Sequence, residues 1–317
     1  MTGGLGFIGS NLAIRLVGLG ADVTVVDALI EGHGGNRFNL EPVRDRVRLE
    51  IADVRDQSAM EELVGRQDVI FHLAGQVSHV DSMTDPVRDL ELNYRSALSL
   101  LEACRRRNGD GRVVFAASRQ QYGKPRYLPV DEQHPLDPVD VNGVDKAAAE
   151  ASLLVYHRAH GLPACSLRLT NTYGPRMQMR HARQGFAAWF VRLALEAREI
   201  ELYGGGSALR DFNYVDDVVD AFLIAGRAKE AIGEVYNLGH PDPTSVRGFA
   251  ESLLEAVGGG SLRDVPFPEA RSRIDVGSVY SDFQKIRGEL GWEPRTSLRE
   301  GLARTVEYFR AHQAAYW

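Results

Sequence analysis

Short apolar runs alternate with amphipathic stretches along the first half of the chain. The runs have strand length; they are Ala21–Asp27, Val47–Ala52, Asp68–Leu73, Gly111–Ala116 and Pro163–Leu169. The stretches between them carry apolar residues at helical spacing and are Gly9–Leu19, Ser58–Val64, Leu90–Arg107 and Gly143–Ala159. Alternating strands and helices of this kind predict an α/β fold with a doubly wound parallel sheet.

The pattern loosens after about Leu169. A helix over Phe186–Arg198, a short strand over Ile200–Tyr203 and a helix over Val215–Ala228 follow a segment rich in proline, glycine and tyrosine. We therefore predict a first domain at residues 1–169 and a smaller α+β lobe at residues 170–317, with the two interleaved. The cleft between them is the expected functional site.

Composition and charge exclude several classes of function. The 317 residues are 44% hydrophobic and 25% charged, which are ordinary values for a globular chain, and the net charge is −6. The sequence has no block of basic residues of the kind that binds nucleic acid or an anionic membrane. The two cysteines, Cys104 and Cys165, are too few for a disulfide framework or a zinc site, so a cytoplasmic protein without a metal is expected.

A glycine-rich turn lies at the start of the chain. Gly3, Gly6 and Gly9 stand at three-residue intervals, with Phe7 and Ile8 between the last two, immediately before a helical stretch. Glycines there let the backbone approach a pyrophosphate, which the helix N-terminus stabilises. Asp27 ends the next strand, where a carboxylate binds both ribose hydroxyls of NAD and repels the 2′-phosphate of NADP. The pattern predicts a Rossmann-like domain that binds NAD.

A Rossmann-like sheet needs an apolar strand before this turn, but only Met1 and Thr2 precede Gly3. The first strand is therefore expected to be truncated. We predict that about six to eight upstream residues belong to the natural protein. The alternative is that neighbouring segments close the gap.

Several motifs together resemble a known family. They are Asp53-Val54, His72-Leu73-Ala74-Gly75, Tyr122-Gly123, the run from Leu167 to Pro175, the run from Arg210 to Asp217, Tyr236 to Gly239, and Leu290 to Pro294. With the glycine turn, they resemble the extended short-chain dehydrogenases of the NAD-dependent epimerase/dehydratase family, almost end to end. The resemblance implies an NAD-dependent enzyme that acts on a nucleotide-diphosphate sugar and forms a homodimer.

The resemblance also implies roles in cofactor binding. Asp53, with Val54 beside it, would bind the adenine. Leu73, Ala74 and Gly75 would line the cofactor at a strand end. Asn93 would tether neighbouring backbone.

The catalytic positions of the family are partly changed in this sequence. Ser118 stands at the catalytic Ser/Thr position, and Lys146 stands at the lysine of the family's Tyr-x-x-x-Lys motif. Asn142 replaces the tyrosine, and an amide cannot exchange a proton near neutral pH. Arg119 and Gln120 stand where the 4,6-dehydratases carry an acid/base Asp-Glu pair, so a dehydratase lacks its usual acid and base here.

Three explanations of Asn142 remain open on the sequence alone. Another group could act as the base, with Asp145, His79, Tyr122 and Tyr173 as candidates. Ser118 and water could serve at a lower rate. The chain could also bind cofactor and sugar without turnover.

The substrate side is assigned from the resemblance and from residue chemistry. Arg210 would bind the diphosphate through its planar guanidinium, and Arg273 or Arg271 would add a second contact. Asn171 would hydrogen-bond the diphosphate or the sugar. His79 follows a strand at the ligand-binding edge and carries an imidazole, a side chain that can act in proton transfer.

These observations favour an NAD-dependent nucleotide-sugar epimerase, similar to UDP-glucose 4-epimerase, that transfers hydride transiently to bound NAD. One alternative is a nucleotide-sugar dehydrogenase, reductase or decarboxylase. Another is a noncatalytic homologue that binds NAD and sugar nucleotide.

Overall fold

A parallel sheet forms the centre of the molecule in the computed structural model, which describes the backbone of residues 1–317 and all side chains except those of Ala270 and Arg271. The strands of the chain are β1 (Val23–Asp27), β2 (Val47–Ile51), β3 (Val69–His72), β4 (Arg112–Ser118), β5 (Ala164–Leu169), β6 (Asn171–Tyr173), β7 (Ile200–Tyr203), β8 (Leu209–Arg210), β9 (Phe212–Tyr214), β10 (Val235–Asn237), β11 (Thr244–Ser245) and β12 (Leu262–Val265). In the sheet, β3, β4, β5 and β10 run side by side in parallel, and β1 pairs in parallel with β2.

Helices connect and cover these strands. They are α1 (Phe7–Gly18), α2 (Gln57–Leu63), α3 (His79–Thr84), α4 (Pro86–Leu90), α5 (Ser96–Arg107), α6 (Val141–His160), α7 (Phe186–Leu195), α8 (Val215–Arg227), α9 (Val246–Val257), α10 (Glu269–Ser272), α11 (Gln284–Leu290) and α12 (Leu298–Tyr316). A π-helical turn, Glu91–Arg95, joins α4 to α5, and 3₁₀ turns cover Arg37–Arg46, Arg119–Tyr122, Gly204–Gly206 and Lys229–Ala231. The predicted α/β fold with a parallel sheet is confirmed.

Thr2 lies between the two parts of the sheet. It forms parallel bridges with Val26 of β1 on one side and His72 of β3 on the other. Its N–H donates to the Phe71 carbonyl at 2.9 Å, and the Val26 N–H donates to the Met1 carbonyl at 2.8 Å. These contacts join β1 to β3 directly before the glycine-rich turn and fix the position of that turn.

Both faces of the sheet are covered, as the strand sequences predict. Side chains alternate along β4, so Val113, Phe115 and Ala117 pack in the core with α5 and α6. Val114 and Ala116 face the opposite core, which contains α8. This burial on both sides explains why the strands read as continuous apolar runs rather than as alternating ones.

The capping of α6 places the start of that helix beside the sheet. The Asp140 side chain accepts a hydrogen bond from the Gly143 N–H at 2.7 Å, and Gly161 ends the helix in the left-handed conformation with φ of 73°. The helix thus begins at a residue whose carboxylate is fixed and buried. The segment from Asp140 to Lys146 is held against the carboxyl ends of the strands.

The second half of the chain contributes to both parts of the molecule. Strand β10 extends the main sheet next to β5, whereas β6 pairs with β9, β7 with β12, and β8 with β11 in separate two-stranded sheets. Phe212 and Phe249 stack with ring centroids 4.5 Å apart in the core of this second part. The domain division at residue 169 stays a prediction. No described helix is long and apolar enough to cross a membrane.

Candidate functional site

A cavity lies at the carboxyl edge of β1 and β3, where doubly wound sheets bind their ligands. The residues that line it are Gly3, Gly6, Asp27, Ala28, Ile30, His33, Gly35, Asp53, Val54, Leu73, Ala74, Gly75, Leu92 and Ser96. Many of the predicted cofactor residues are therefore brought together. Phe7, Ile8 and Gly9 lie next to them in the first turn of α1.

The glycine-rich turn forms a close backbone cradle at one side of the cavity. Gly3 has φ of +70°, and a Cβ atom at this position would stand 2.7 Å from the Ala74 backbone nitrogen. Gly6 caps α1 without a side-chain hydrogen bond, so the first N–H groups of the helix have no side-chain cap. A helix start of this kind stabilises an anionic group such as a pyrophosphate.

Two carboxylates face the cavity, and neighbouring donors hold each of them. Asp27 accepts hydrogen bonds from the Leu5 N–H at 3.0 Å and the Leu29 N–H at 2.9 Å. Burial raises the pKa of Asp27, and these two hydrogen bonds oppose that rise. Asp53 binds the Arg55 guanidinium at 2.6 to 3.1 Å, which lowers the pKa of Asp53. The contacts fix both carboxylates as acceptors at the cavity wall.

A buried polar network stands behind Gly75. Asn93 accepts a hydrogen bond from the Gln76 N–H at 3.1 Å and donates one to Asp89 at 3.0 Å. Asn93 and Asp89 are each only 1% exposed. Asn93 therefore fixes the backbone that follows β3.

Lys146 projects from α6 into the same region. Its Nζ donates to the Ala116 carbonyl at 3.3 Å and lies 5.2 Å from the centroid of the Phe115 ring. Burial lowers the pKa of Lys146 to about 8. A Cβ atom on Gly75 would stand 2.9 Å from this ammonium, so glycine is what makes room for it.

The side-chain amide nitrogen of Asn142 is a member of this buried network. Its side-chain amide donates to the Gln76 carbonyl at 2.8 Å and lies 3.3 Å from Asp89. Asp145 lies one turn along α6, and burial together with the neighbouring carboxyl group of Asp89 raises the pKa of Asp145 to about 7. Asn142 and Asp145 are 1% and 4% exposed.

Two of the four candidate bases, Tyr122 and Tyr173, lie in the core. The Tyr122 hydroxyl donates to Asn237 at 2.7 Å and accepts from Arg168 at 2.6 Å, and burial raises the pKa of Tyr122 to about 12. Tyr173 is also completely buried, with its hydroxyl 3.4 Å from the Leu298 carbonyl. Neither hydroxyl can reach a ligand in the cleft.

His79 differs from the other candidates because its side chain is 43% exposed. It begins α3, and its Nδ1 contacts the buried carboxylate of Asp140, while its Nε2 contacts the side-chain amide of Gln120. Gln120 follows Ser118 at the end of β4, and its N–H donates to the Ser118 hydroxyl at 3.2 Å.

The substrate-side residues separate into two places. Asn171 accepts a hydrogen bond from Arg119 at 3.3 Å and donates to the Asp211 carbonyl at 3.2 Å. Arg210 is 8% exposed and donates to the Leu209 carbonyl at 2.8 Å; burial and the charge of Arg119 lower the pKa of Arg210 to about 10. These residues form one cluster of cationic and amide groups.

Arg273 is not held in that cluster. Its side chain is 75% exposed and pairs with Glu269 at 2.6 Å, as expected for an (i, i+4) pair. The side chain of Arg271, its alternative, lies outside the described part of the structure. A second diphosphate contact from this segment stays a prediction.

Sequence reasoning missed the far wall of the cavity and the acidic partners of the network. Ala28, Ile30, His33 and Gly35 come from the loop after β1, which carries no regular pattern. Asp89 and Asp140 look like ordinary helix-start residues. Helix capping by Asp140 was readable from the sequence, but its contact with a residue 61 positions away was not.

The fold and the cavity are those of a Rossmann-type α/β protein, with a buried lysine beside the cavity. Comparison with known sequences assigns it more closely. The profile of the NAD dependent epimerase/dehydratase family matches residues 1–239, and the chain belongs to this family.

Its relatives catalyse more than one reaction. A putative UDP-glucose 4-epimerase of Methanocaldococcus jannaschii is 33% identical to this chain, and the match covers 98% of this chain and 97% of the relative's length. A UDP-glucose 4-epimerase structure from Thermotoga maritima, with UDP-glucose, has a TM-score of 0.89 at 33% identity, covering 98% of each chain. A dTDP-glucose 4,6-dehydratase structure from Streptomyces venezuelae, with NAD bound, has a TM-score of 0.88 at 30% identity. The match covers 99% of this chain and 97% of the dehydratase chain.

Proposed function

We propose that this protein is an NAD-dependent nucleotide-sugar epimerase similar to UDP-glucose 4-epimerase. The cradle at Gly3, the two carboxylates in the cavity and the ammonium of Lys146 fit NAD in an extended conformation. NAD would accept hydride from a sugar carbon and return it to the opposite face of the keto sugar. The net reaction then inverts one carbon and leaves the cofactor unchanged.

The chain's own residues would bind and orient the two ligands. Asp27 would accept the adenosine ribose hydroxyls, and Asp53 the adenine amino group. Lys146 would hydrogen-bond the nicotinamide ribose, and Ser118 would hydrogen-bond the reacting sugar hydroxyl. Arg210 would bind the diphosphate of the sugar nucleotide, because its buried setting strengthens its attraction for an anion.

One observation favours epimerisation over dehydration. Arg119 and Gln120 occupy the 3₁₀ turn after Ser118, where the related dehydratases would carry their acid and base. Loss of water from a sugar needs a proton donor for the leaving hydroxyl and a base for the adjacent carbon. Guanidinium and amide groups supply neither near neutral pH. Reversible oxidation at one carbon needs no such pair.

Isotope tracing tests this proposal directly. The protein is incubated with NAD and UDP-glucose deuterated at C4, in ordinary water, and the products are followed by NMR. We expect UDP-galactose that keeps its deuterium at C4. Accumulated NADH would indicate a net dehydrogenase, and carbon dioxide released from UDP-glucuronate would indicate a decarboxylase. Thermal stabilisation by UDP-sugars with no turnover or exchange across a sugar panel would indicate a noncatalytic homologue.

We also propose that the protein is a homodimer. Helices α5 and α6, which would pair across the dimer, pack against each other in the chain. Val144 and Val155 on α6 are 50% and 48% exposed, and Val87 on α4 is 71% exposed. Apolar side chains grouped at a surface favour burial against a partner. Light scattering after size exclusion should give twice the mass of 35.0 kDa.

A further inference from the structure

His79 lies between a buried carboxylate and a side-chain amide. Its Nδ1 is in hydrogen-bond contact with Asp140, whose side chain is 2% exposed, and its Nε2 is in contact with Gln120. Asp140 is held in turn, because its other oxygen accepts the Gly143 N–H at 2.7 Å. The carboxylate therefore cannot rotate away from the imidazole without uncapping α6.

The contact with Asp140 determines the tautomer of His79. A carboxylate only accepts hydrogen bonds, so Nδ1 must carry the proton and donate it to Asp140. In the neutral ring, Nε2 then keeps its lone pair, and this lone pair accepts from the amide NH₂ of Gln120. An imidazole with Nδ1–H on a carboxylate has its basic lone pair at Nε2, and this is the arrangement of a general base once a substrate hydroxyl takes the place of the Gln120 amide.

Gln120 can accommodate both protonation states of this histidine. Its side-chain oxygen is buried and has no described hydrogen-bond partner, while its nitrogen contacts Nε2. Once Nε2 has taken a proton, a half-turn of the amide presents that oxygen as an acceptor to the new N–H. The orphaned oxygen thus gains a partner only in the protonated state.

The histidine also lies beside the other groups of the site. Gln120 is two residues after Ser118, and its backbone packs on the start of α6, where a Cβ atom on Gly143 would stand 2.9 Å from the Gln120 carbonyl. Asn142 lies in that first turn of α6. The ionisable and charged groups around the imidazole are Asp140 on α6, Arg119 near Asp140, and Asp81 within α3, which pairs with Arg183 at 3.4 Å.

We propose that His79, oriented by Asp140, is the general base that replaces the tyrosine missing at Asn142. This inference rests on the proposed epimerase function. His79 Nε2 would take the proton of the reacting sugar hydroxyl, whose O–H bond breaks as the C=O bond forms, and bound NAD would supply the acceptor for the hydride of that carbon. In the return direction His79 would give the proton back to the same oxygen, and NAD would supply the hydride to the other face. Asp140 acts as a positioning residue.

Two substitutions separate catalysis from structure. His79→Gln should lower kcat by about 100-fold or more, the usual range for loss of a general base, while the dissociation constant for NAD stays within threefold. Asp140→Asn keeps a helix cap but lets the ring adopt the other tautomer, so kcat should fall at least tenfold at unchanged melting temperature. His160→Gln, at the exposed end of α6, is the control and should leave kcat unchanged.

Two further measurements identify the base itself. In His79→Ala, added imidazole should restore part of the activity, whereas imidazole should not affect Lys146→Ala. Nitrogen NMR of the wild-type protein should show His79 protonated at Nδ1, with that preference lost in Asp140→Asn. The NMR measurement needs no turnover.

The outcomes distinguish this inference from the proposed function. If the wild type epimerises UDP-glucose while His79→Gln stays within threefold of it, His79 is not the base although the protein is an epimerase. A wild-type ring protonated only at Nε2 overturns the inference whatever the activity. A wild type that turns over no nucleotide sugar overturns the proposed function, and the base assignment with it.

Discussion

As the pH rises from 5 to 7, the wild type should lose stability that the Asp145→Asn variant keeps. Asp145 is 4% exposed and has a second buried carboxyl group, Asp89, as its neighbour. Burial and this partner raise the pKa of Asp145 to about 7, from a usual value of 3.8. The folded protein therefore keeps a proton that the unfolded chain releases.

The sign and the size of the effect follow from proton linkage. Below pH 3.8 both states hold the proton, and Asp145 makes no difference to the pH dependence. Between pH 3.8 and 7 only the folded state holds it, so the free energy of unfolding falls by about 1.4 kcal/mol per pH unit. Above pH 7 the loss is complete. Between pH 5 and 7 the wild type should lose about 2 kcal/mol that Asp145→Asn does not lose.

The assay is urea unfolding followed by circular dichroism at pH 5, 6 and 7. Other buried carboxyl groups, such as Asp211 with its pKa raised to about 6 by burial, are present in both proteins and cancel in the difference. Asp110→Asn, in an exposed turn, is the control and should follow the wild-type curve. Parallel curves for the wild type and Asp145→Asn would show that Asp145 and Asp89 do not share a proton.

Three further predictions concern the cofactor. NAD should bind at least tenfold more tightly than NADP by calorimetry, and Asp27→Ala should reduce that ratio; equal affinities in the wild type would contradict the assignment. Gly75→Ala should weaken NAD binding at least tenfold, because its Cβ would stand 2.6 Å from Asn93 Oδ1, whereas Gly18→Ala, with open space around it, should not. Lys146→Ala should weaken NAD binding and reduce turnover below about 1% of wild type, and full activity in this variant would mean that the active site lies elsewhere.

The parts of the structure that were predictable from sequence are those set by local pattern. Strand β1 follows from its continuous β-branched residues, and the glycine turn follows from the spacing of its glycines. Each of these signals is contained within a few residues of the chain. The position of Asp27 at a strand end then places its carboxylate at the ligand edge of the sheet. Lys146 was readable for the same reason, since one helix turn separates it from Asn142.

The parts that were not predictable depend on contacts between distant segments. Asp140 reads as a helix cap, and its second contact, to His79, exists only because α3 and α6 meet in the folded chain.

Asn142 shows why a single departure from a family motif does not decide activity. On the sequence alone, Asn142 replaces the tyrosine that serves as the base, and the site therefore lacks a proton acceptor. In the folded protein, the amide binds Gln76 and lies beside Asp89, and the nearby imidazole of His79 is held by Asp140. A tyrosine at position 142 would displace the first two contacts. We therefore expect Asn142→Tyr to lower activity rather than restore it, because the site is organised around a different proton acceptor.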